Sequence, residues 1–194
     1  MRCLLTLLPV FLLTACGSTQ YYMIPPSEVA PISATAHTTN DSTKNNNIYA
    51  LRYLTLPDYL DNQYVIYYDG EGKVNRNPKR LWNANLSDNI RNNLQQHLSS
   101  NGLSSLYTYP LPTNIRANQI VDIQIREMIA NAKTKQFYIN ADWQLTTSDN
   151  HKQSLYHFKQ NYPLDNTQTN TLIKLYQRAL IDLSNAIFPT LSYH

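Results

Sequence analysis

Two segments of this sequence alternate one residue at a time between apolar and polar side chains, and they constrain its fold more than any other feature. Successive side chains of a strand point to opposite faces, so each segment predicts a β-strand with one buried face and one face in water. The mostly polar residues 131–135 separate the segments and predict the turn of an antiparallel hairpin. The residues of the buried face are Val121, Ile123 and Ile125 in the first segment and Phe137, Ile139, Ala141, Trp143 and Leu145 in the second.

Shorter apolar and aromatic runs predict further strands on both sides of this hairpin. The run at residues 48–56 ends before Pro57, because proline lacks the amide hydrogen that a strand ladder needs. The run at residues 63–68 is followed by the turn sequence Asp-Gly-Glu-Gly and by a short return strand at residues 73–76. The remaining predicted strands span residues 21–24, 105–109 and 155–162.

Two segments with apolar residues at helical spacing, residues 81–100 and 169–188, predict the main helices. We expect Trp82 to lie near the start of the first helix and Gly102 to cap its C-terminal end. Pro189 is expected to stop the second helix, because its ring clashes with the preceding turn. The apolar stripes consist of Leu86, Ile90, Leu94 and Leu98 in the first helix and Leu172, Leu175, Tyr176, Ala179, Leu183, Ala186 and Ile187 in the second.

The order of these elements predicts an α/β fold with a single domain. Hairpins require antiparallel neighbours, whereas the crossover through the first helix implies a parallel one, so we predict a mixed, largely antiparallel sheet. About five or six strands would form this sheet, covered by the two main helices. We place the globular domain at residues 48–194, joined by a first strand at residues 20–25. Residues 16–47 form a tether, and within it residues 27–47 have too few large apolar groups to fold and predict a flexible loop.

The N-terminal segment predicts export and lipid attachment. Arg2 precedes an apolar run at residues 4–13, which has the length of a secretion signal and is too short to span a membrane. The sequence Leu-Thr-Ala-Cys-Gly at residues 13–17 then resembles the lipobox of bacterial lipoproteins. The resemblance implies that the signal peptide, residues 1–15, is removed and that Cys16 receives an N-acyl diacylglyceryl lipid. An ordinary cleaved signal and a buried N-terminal helix are the alternatives.

Charge and motif content exclude several classes of function. The formal net charge of +3 and the lack of a strong Lys/Arg cluster argue against a nucleic-acid partner. The densest basic stretch, residues 73–80, lies in a segment rich in turn residues, where a solvated loop is favoured over a lipid-headgroup site. The five histidines form no metal-binding motif, and no nucleophile motif is present. We therefore predict no catalytic residue, no metal site and no cofactor besides the lipid on Cys16.

Two further motifs point to a family. Residues 54–61 read Leu-Thr-Leu-Pro-Asp-Tyr-Leu-Asp, and residues 80–86 read Arg-Leu-Trp-Asn-Ala-Asn-Leu. Together with the lipobox and the Tyr21-Tyr22 strand, they resemble the ABC-type transport auxiliary lipoproteins of the PqiC/YmbA type. That family typically shows Leu-Pro-x-Tyr-Leu and a tryptophan at the start of an amphipathic helix. Residues 83–86 depart from its pattern, in which an acidic residue and a proline more often follow the tryptophan.

The resemblance implies a non-enzymatic, periplasm-facing component of an MCE/ABC-type lipid transport system between the inner and outer membranes. Its implied partners are the membrane, through the anchor, and MCE-domain or ABC-transport proteins, with homo-oligomer formation left open. Gly17, in place of an aspartate after the cysteine, implies the outer membrane. An accessory lipoprotein of outer-membrane assembly or lipopolysaccharide transport is the alternative. A direct lipid carrier would need an apolar cavity, whereas the clean alternation predicts a filled core.

Pro57, Tyr59, Leu60 and Trp82 are the candidate partner-contact or structural residues of the motifs. We favour a packing role, in which Pro57 ends a strand and Tyr59 and Leu60 tuck beneath the sheet. Trp82 would wedge the helix start against the same loop. Four tyrosines on predicted strands are candidates for an aromatic partner surface, although strand preference alone explains each of them. They are Tyr67, Tyr68, Tyr107 and Tyr109.

Overall fold

The two alternating segments form the longest strands of the structure, joined by the predicted turn. The computed structural model describes residues 18–26, 47–103, 105–149 and 152–192; the predicted signal peptide, Cys16 and the predicted loop up to residue 46 lie outside them. The strands are β1 (Gln20–Tyr22), β2 (Tyr49–Thr55), β3 (Tyr64–Tyr68), β4 (Val74–Trp82), β5 (Leu106–Thr108), β6 (Gln119–Asn131), β7 (Gln136–Thr147) and β8 (Gln153–Pro163), and the helices are α1 (Leu86–Ser100) and α2 (Thr169–Ser192).

Strand β6 occupies the centre of one mixed sheet. Along one edge it pairs antiparallel with β7, which pairs antiparallel with β8. Its other edge pairs parallel with β2 over residues 119–124 and with β3 at Asn131. From there β4 and β1 extend the sheet beside β3, and β5 extends it beside β2. The predicted class, a single-domain α/β fold with a mixed sheet and two helices, is confirmed; the three-residue strands β1 and β5 bring the number of strands to eight.

The core lies between the sheet and the two helices. Helix α1 packs on α2, β2 and β5, and α2 packs on β6, β7 and β8. All eight residues of the predicted buried sheet face and all four of the α1 stripe are at most 3% exposed. Leu175 and Ala186 of the predicted α2 stripe are only partly buried. Gly102, with φ of 110°, follows α1 in the conformation that the predicted C-terminal cap requires.

The start of the first helix is the main correction to the sequence analysis. Leu81 and Trp82 lie in β4 rather than in α1, because Tyr21 and Tyr22 of β1 pair with them as a parallel ladder. The amide of Trp82 also donates a 2.7 Å hydrogen bond to the carbonyl of Gln63. Pairing with a distant strand thus outweighs the local helical pattern. It also places the basic residues 73–80 mostly in a strand instead of a solvated loop.

The predicted end of the second helix is also wrong. Pro189 lies inside α2, which continues to Ser192. Burial on both sides of the proline offsets the hydrogen bond that it removes, since Ile187 before it and Leu191 after it are both fully buried. The hydroxyl of Tyr49 donates a hydrogen bond to the Leu191 carbonyl at 3.1 Å, which satisfies one acceptor at the helix end. Neither α1 nor α2, the helices of the described residues, is long and apolar enough to cross a membrane.

Candidate functional site

The loop between β2 and β3 carries the Leu-Pro-x-Tyr-Leu motif and lies beside a gap in the sheet. Both strands pair with the same edge of β6, but the β2 ladder ends at Gln124 and the β3 ladder is formed at Asn131. Within the described residues, the main chain of β6 between these points has no strand partner on that edge. The loop, residues 56–63, connects the two flanking strands across this distance.

Two tyrosines reach the main chain of Met128 inside this gap. The hydroxyl of Tyr59 in the motif loop lies close to the main chain of Met128. The hydroxyl of Tyr176 in α2 donates a hydrogen bond to the Met128 carbonyl at 3.2 Å. Burial raises the pKa of both tyrosines, and for Tyr59 the contact with Met128 opposes this effect. Side chains from a loop and a helix therefore replace the missing strand and attach both elements to β6.

Trp82 and Leu60 pack in the core, and Trp82 lies against the same tyrosine of α2. The Trp82 ring meets Tyr176 edge-on, with centroids 5.4 Å apart and an interplanar angle of 80°. Phe137 of β7 makes a similar contact with Tyr176 at 5.0 Å. Leu60 is 1% exposed and Trp82 3% exposed. The indole N–H of Trp82 has no hydrogen-bond partner among the described residues, so apolar and ring contacts hold this side chain.

Pro57 shapes the turn that delivers these residues. Its carbonyl accepts hydrogen bonds from the amides of Leu60 and Asp61, at 2.9 and 3.2 Å. The side-chain amide of Asn62 donates to the Tyr59 carbonyl at 2.6 Å, and its oxygen accepts from the amide of Tyr64. The structure thus places Tyr59, Leu60 and Trp82 in contacts within the chain. Pro57 lies partly exposed at the loop.

The outward face of the hairpin strands carries a charged cluster that the sequence analysis did not identify. The carboxylate of Asp142 on β7 contacts Arg126 on β6 and accepts from Nδ1 of His157 on β8, with 2.6 Å between Oδ1 and Nδ1. These contacts, led by the hydrogen bond from His157, hold the pKa of Asp142 below its ordinary value. Arg126 and His157 remain more than half exposed, so solvent screens the cluster. Alternation along the strands predicts that Arg126 and Asp142 lie on the solvent-facing side of the sheet. The pairing of Asp142 with His157 depends on the register between β7 and β8.

Exposed apolar side chains mark two separate surfaces. Tyr53 on β2 is 61% exposed beside the Arg52–Asp122 ion pair, and Leu155 on β8 is 74% exposed among polar neighbours. The four tyrosines proposed as one aromatic surface do not lie together. Tyr67 and Tyr68 pack partly against the core on β3, whereas Tyr107 lies on β5 beyond β6 and β2, with Tyr109 immediately after it.

The second surface is the edge of the sheet nearest the predicted anchor. Tyr21 is 67% and Met23 53% exposed, at and just after β1. Beside β1, strand β4 bulges away from β3 between Arg76 and Leu81 and contains Pro78, which a regular ladder would not accept. A cavity of about 330 Å³ lies between β3, β4 and the start of α2. Its lining includes Val65, Tyr67, Asn75, Arg76, Asn77, Pro78, Arg80, Thr167, Thr169 and Leu172.

The described part of the chain contains no cluster of metal-binding side chains, because no three His, Cys, Asp or Glu side chains in it lie close enough together to hold an ion. His37, His151 and His194, three of the five histidines, lie outside the described residues. The described residues thus form a core in which Tyr59, Leu60 and Trp82 pack, and two surfaces with exposed apolar side chains.

Comparison with known proteins supports the architecture. A family model described as ABC-type transport auxiliary lipoprotein component matches residues 31–188. A crystal structure of an uncharacterized protein is similar with a TM-score of 0.70 and 16% identity, covering 91% of this chain and 100% of that one. A crystal structure of protein XCC0632 from Xanthomonas campestris, of the family DUF330, has a TM-score of 0.62 and 13% identity, covering 73% of this chain and 81% of that one. At these identities the two structures show a shared fold. No curated protein matches the sequence.

Proposed function

The chain belongs to the family of ABC-type transport auxiliary lipoprotein components, and on this premise we propose that it serves an MCE/ABC-type system that moves lipid between the inner and outer membranes. Membership makes it a membrane-anchored lipoprotein that faces the periplasm and an auxiliary component of transport. The family match over residues 31–188 carries the proposal, because it covers nearly all of the chain beyond the predicted tether. The proposed partners are an MCE-domain protein or the ABC transporter itself.

The anchor is the first part of the proposed mechanism. Cys16 carries the N-acyl diacylglyceryl lipid, and Gly17 in the next position directs the protein to the outer membrane. Each buried CH₂ group contributes about 0.8 kcal/mol, and stable attachment needs more than one acyl chain. Such a lipid supplies these chains, so the folded domain needs no membrane-spanning helix to stay at the membrane.

The folded domain is the second part, and we propose that it binds protein partners without chemistry of its own. The side chains of Tyr59, Leu60 and Trp82 are engaged in the core, which leaves exposed residues such as Tyr53 and Leu155 for recognition. A direct lipid carrier is less well supported. The cavity of about 330 Å³ is at the lower end of ordinary small-ligand pockets and has arginine and asparagine in its lining, which suits no pair of acyl chains.

Co-purification tests this function. The tagged, lipidated protein would be crosslinked in the cell envelope, solubilised and isolated, and its partners identified by mass spectrometry. We expect an MCE-domain protein to be recovered from cells with the wild-type chain and to be lost with Cys16→Ala, which should fold but leave the membrane. Recovery of a β-barrel assembly or lipopolysaccharide-transport protein in its place would support the alternative function. Full activity of the unanchored Cys16→Ala protein would contradict the role of the anchor.

A further inference from the structure

We infer that the edge of the sheet formed by residues 20–23 and 73–82, here called the β1–β4 edge, rests on a bilayer surface of anionic phospholipid. The inference extends the proposed function, because it relies on the lipid anchor at Cys16. It concerns a surface to which the family match assigns nothing. Three observations support it: the short distance to the anchor, the uncompensated positive charge and the exposed apolar side chains.

Chain length brings this edge to the membrane. Gln20, the first residue of β1, is four residues beyond Cys16. Four residues span at most about 14 Å even when fully extended, so β1 stays within that distance of the acylated residue. The sheet then continues away from β1 through β4, β3, β6 and β7 to β8. Five strand spacings of about 4.8 Å place β8 about 24 Å further along the sheet.

The charge of the edge complements an anionic surface. Residues 73–82 contain four basic residues and no acidic one, and residues 18–26 contain no acidic residue. Arg76 and Lys79 are exposed and Arg80 is partly buried. Among the described residues, the arginines that form ion pairs are Arg52 on β2 and Arg126 on β6. In the same part of the chain, no arginine of the β1–β4 edge forms one. The basic residues of the edge are Lys73, Arg76, Lys79 and Arg80.

The turn before β4 contains two acidic residues, Asp69 and Glu71. Asp69, in the turn before β4, accepts hydrogen bonds through Oδ1 from the amides of Glu71 and Lys73, at 2.8 and 3.2 Å. Among the described residues, neither Asp69 nor Glu71 forms an ion pair with a basic residue of β4. The charge of these basic residues is left for a ligand outside the chain, and phosphate groups of a headgroup layer are the ones that the anchor brings within reach.

The apolar component lies on the same edge. Tyr21 and Met23 are 67% and 53% exposed, although their neighbours Tyr22 and Ile24 are partly and fully buried. Aromatic and apolar side chains beside basic ones are typical of surfaces that lie in the headgroup region of a bilayer. An unpartnered tyrosine and methionine next to the tether are thus explained by contact with lipid.

Fluorescence at a single engineered thiol tests this orientation in the lipidated protein. Cys3 leaves with the signal peptide and the sulfur of Cys16 is in a thioether, so Met23→Cys provides one free thiol for an environment-sensitive dye. Leu155→Cys, on β8 at the far edge, is the matched control because Leu155 is 74% exposed. In vesicles with phosphatidylglycerol, the dye at residue 23 should shift to the blue and be quenched by brominated lipid. The dye at residue 155 should not change. An equal response at both positions would overturn the inference.

Charge removal provides the second arm of the test. The triple variant Arg76→Gln, Lys79→Gln and Arg80→Gln removes three charges from the edge. Each should weaken docking about fivefold, so the equilibrium between docked and free orientations falls by roughly 100-fold and the dye signal at residue 23 is lost. The control Arg116→Gln, Lys159→Gln and Lys174→Gln removes the same charge elsewhere and should keep the signal. Loss of signal in both triple variants, or in neither, would count against a specific basic edge.

The two proposals fail in different ways in this experiment. If Cys16 is not acylated, the mass of the N-terminal peptide shows it, and the protein does not enter the vesicles at all. That result contradicts the anchor, and the orientation built on it falls with it. If the protein is acylated and inserted but the dye at residue 23 stays in water, the anchor stands and the orientation is wrong.

Discussion

Strand pairing is continuous in one part of the sheet and interrupted in another. The first part consists of β6, β7 and β8, and the second is the β1–β4 edge. The three long strands pair almost without interruption, with twelve registered residues between β6 and β7 and eleven between β7 and β8. In the β1–β4 edge, strand β4 has three registered pairs with β1 and four with β3, and a bulge interrupts its pairing with β3. The long hairpin strands form from neighbouring sequence. In the edge, β4 pairs locally with β3 as a hairpin, whereas β1 joins β4 from about sixty residues earlier in the chain.

The comparison teaches where the family motifs act. The alternating strands need no motif, since alternation alone buries one face. The motif residues Tyr59, Leu60 and Trp82 belong to segments with little regular strand pairing. Tyr59 lies at Met128 of β6, and Trp82 packs against Tyr176 of α2. We therefore expect the motif residues to matter most for joining the irregular half of the sheet to the regular half.

The largest expected effect is that of Tyr176→Ala, which breaks this junction. The substitution removes the ring contacts with Trp82 and Phe137 and the hydrogen bond to the Met128 carbonyl. We expect the free energy of unfolding to fall by about 4 kcal/mol, as for other buried aromatic residues replaced by alanine. Urea unfolding followed by circular dichroism measures it. Tyr176→Phe is the control and should lose only about 1 kcal/mol, since it keeps the ring.

Trp82→Ala should come next, with a loss of about 3 kcal/mol from the cavity it leaves beside Tyr176. Trp82→Phe separates packing from hydrogen bonding. Because the indole N–H has no partner among the described residues, phenylalanine gives up no observed hydrogen bond and should cost about 1 kcal/mol. Calorimetric or denaturant unfolding of both variants decides the point. A phenylalanine variant as unstable as the alanine variant would show that Trp82 does more than fill the core.

A smaller effect is expected from Tyr59→Phe in the motif loop. The hydroxyl of Tyr59 lies close to the main chain of Met128, where β6 lacks a strand partner. Its removal takes away this polar contact and should destabilise the fold by about 1 kcal/mol. Hydrogen exchange at Met128 provides a local measurement, and exchange there should accelerate. Tyr53→Phe is the matched control, because Tyr53 is 61% exposed and should change neither quantity.

The smallest effect is expected at the charged cluster on the hairpin strands. The pKa of Asp142 is lowered by His157 and Arg126, so its contribution to stability is present above the unfolded-state pKa of about 4. That contribution is lost as the pH falls through the lower pKa of the folded state. Solvent screening limits it to about 0.5 kcal/mol. Asp142→Asn should flatten the acid side of the stability curve below about pH 4.

Much of the regular half of the fold could be predicted from the sequence, because the information was local. The alternation from Val121 to Leu145 gave the two central strands, and the four-residue spacing from Leu86 to Leu98 gave α1. The extension of β4 to Trp82 could not be predicted in the same way. Trp82 follows a helical pattern locally, and its place in β4 depends on pairing with Tyr22, separated from it by sixty residues.

The contacts of the motif loop could not be predicted from the sequence for a related reason. Tyr59 meets Met128 only because the β2 and β3 ladders stop short of each other on β6, and no local pattern states where a ladder stops. The cluster around Asp142 depends on the register that sets it opposite His157. Leu155 is an apolar residue on an otherwise polar face of β8. Alternation along the strand predicts that it faces outward but does not explain why it is apolar.

The bulge in β4 has a consequence for how copies of this protein coexist in a crowded compartment. Among the described residues, β1 covers β4 only from Arg80 to Trp82, so the outer backbone of the preceding residues is open to strand addition by another chain. Pro78 offers no amide hydrogen there, and Arg76 and Lys79 bring like charges together when two such edges approach. Strands that would otherwise join into intermolecular sheets are thereby kept apart, which guards against aggregation.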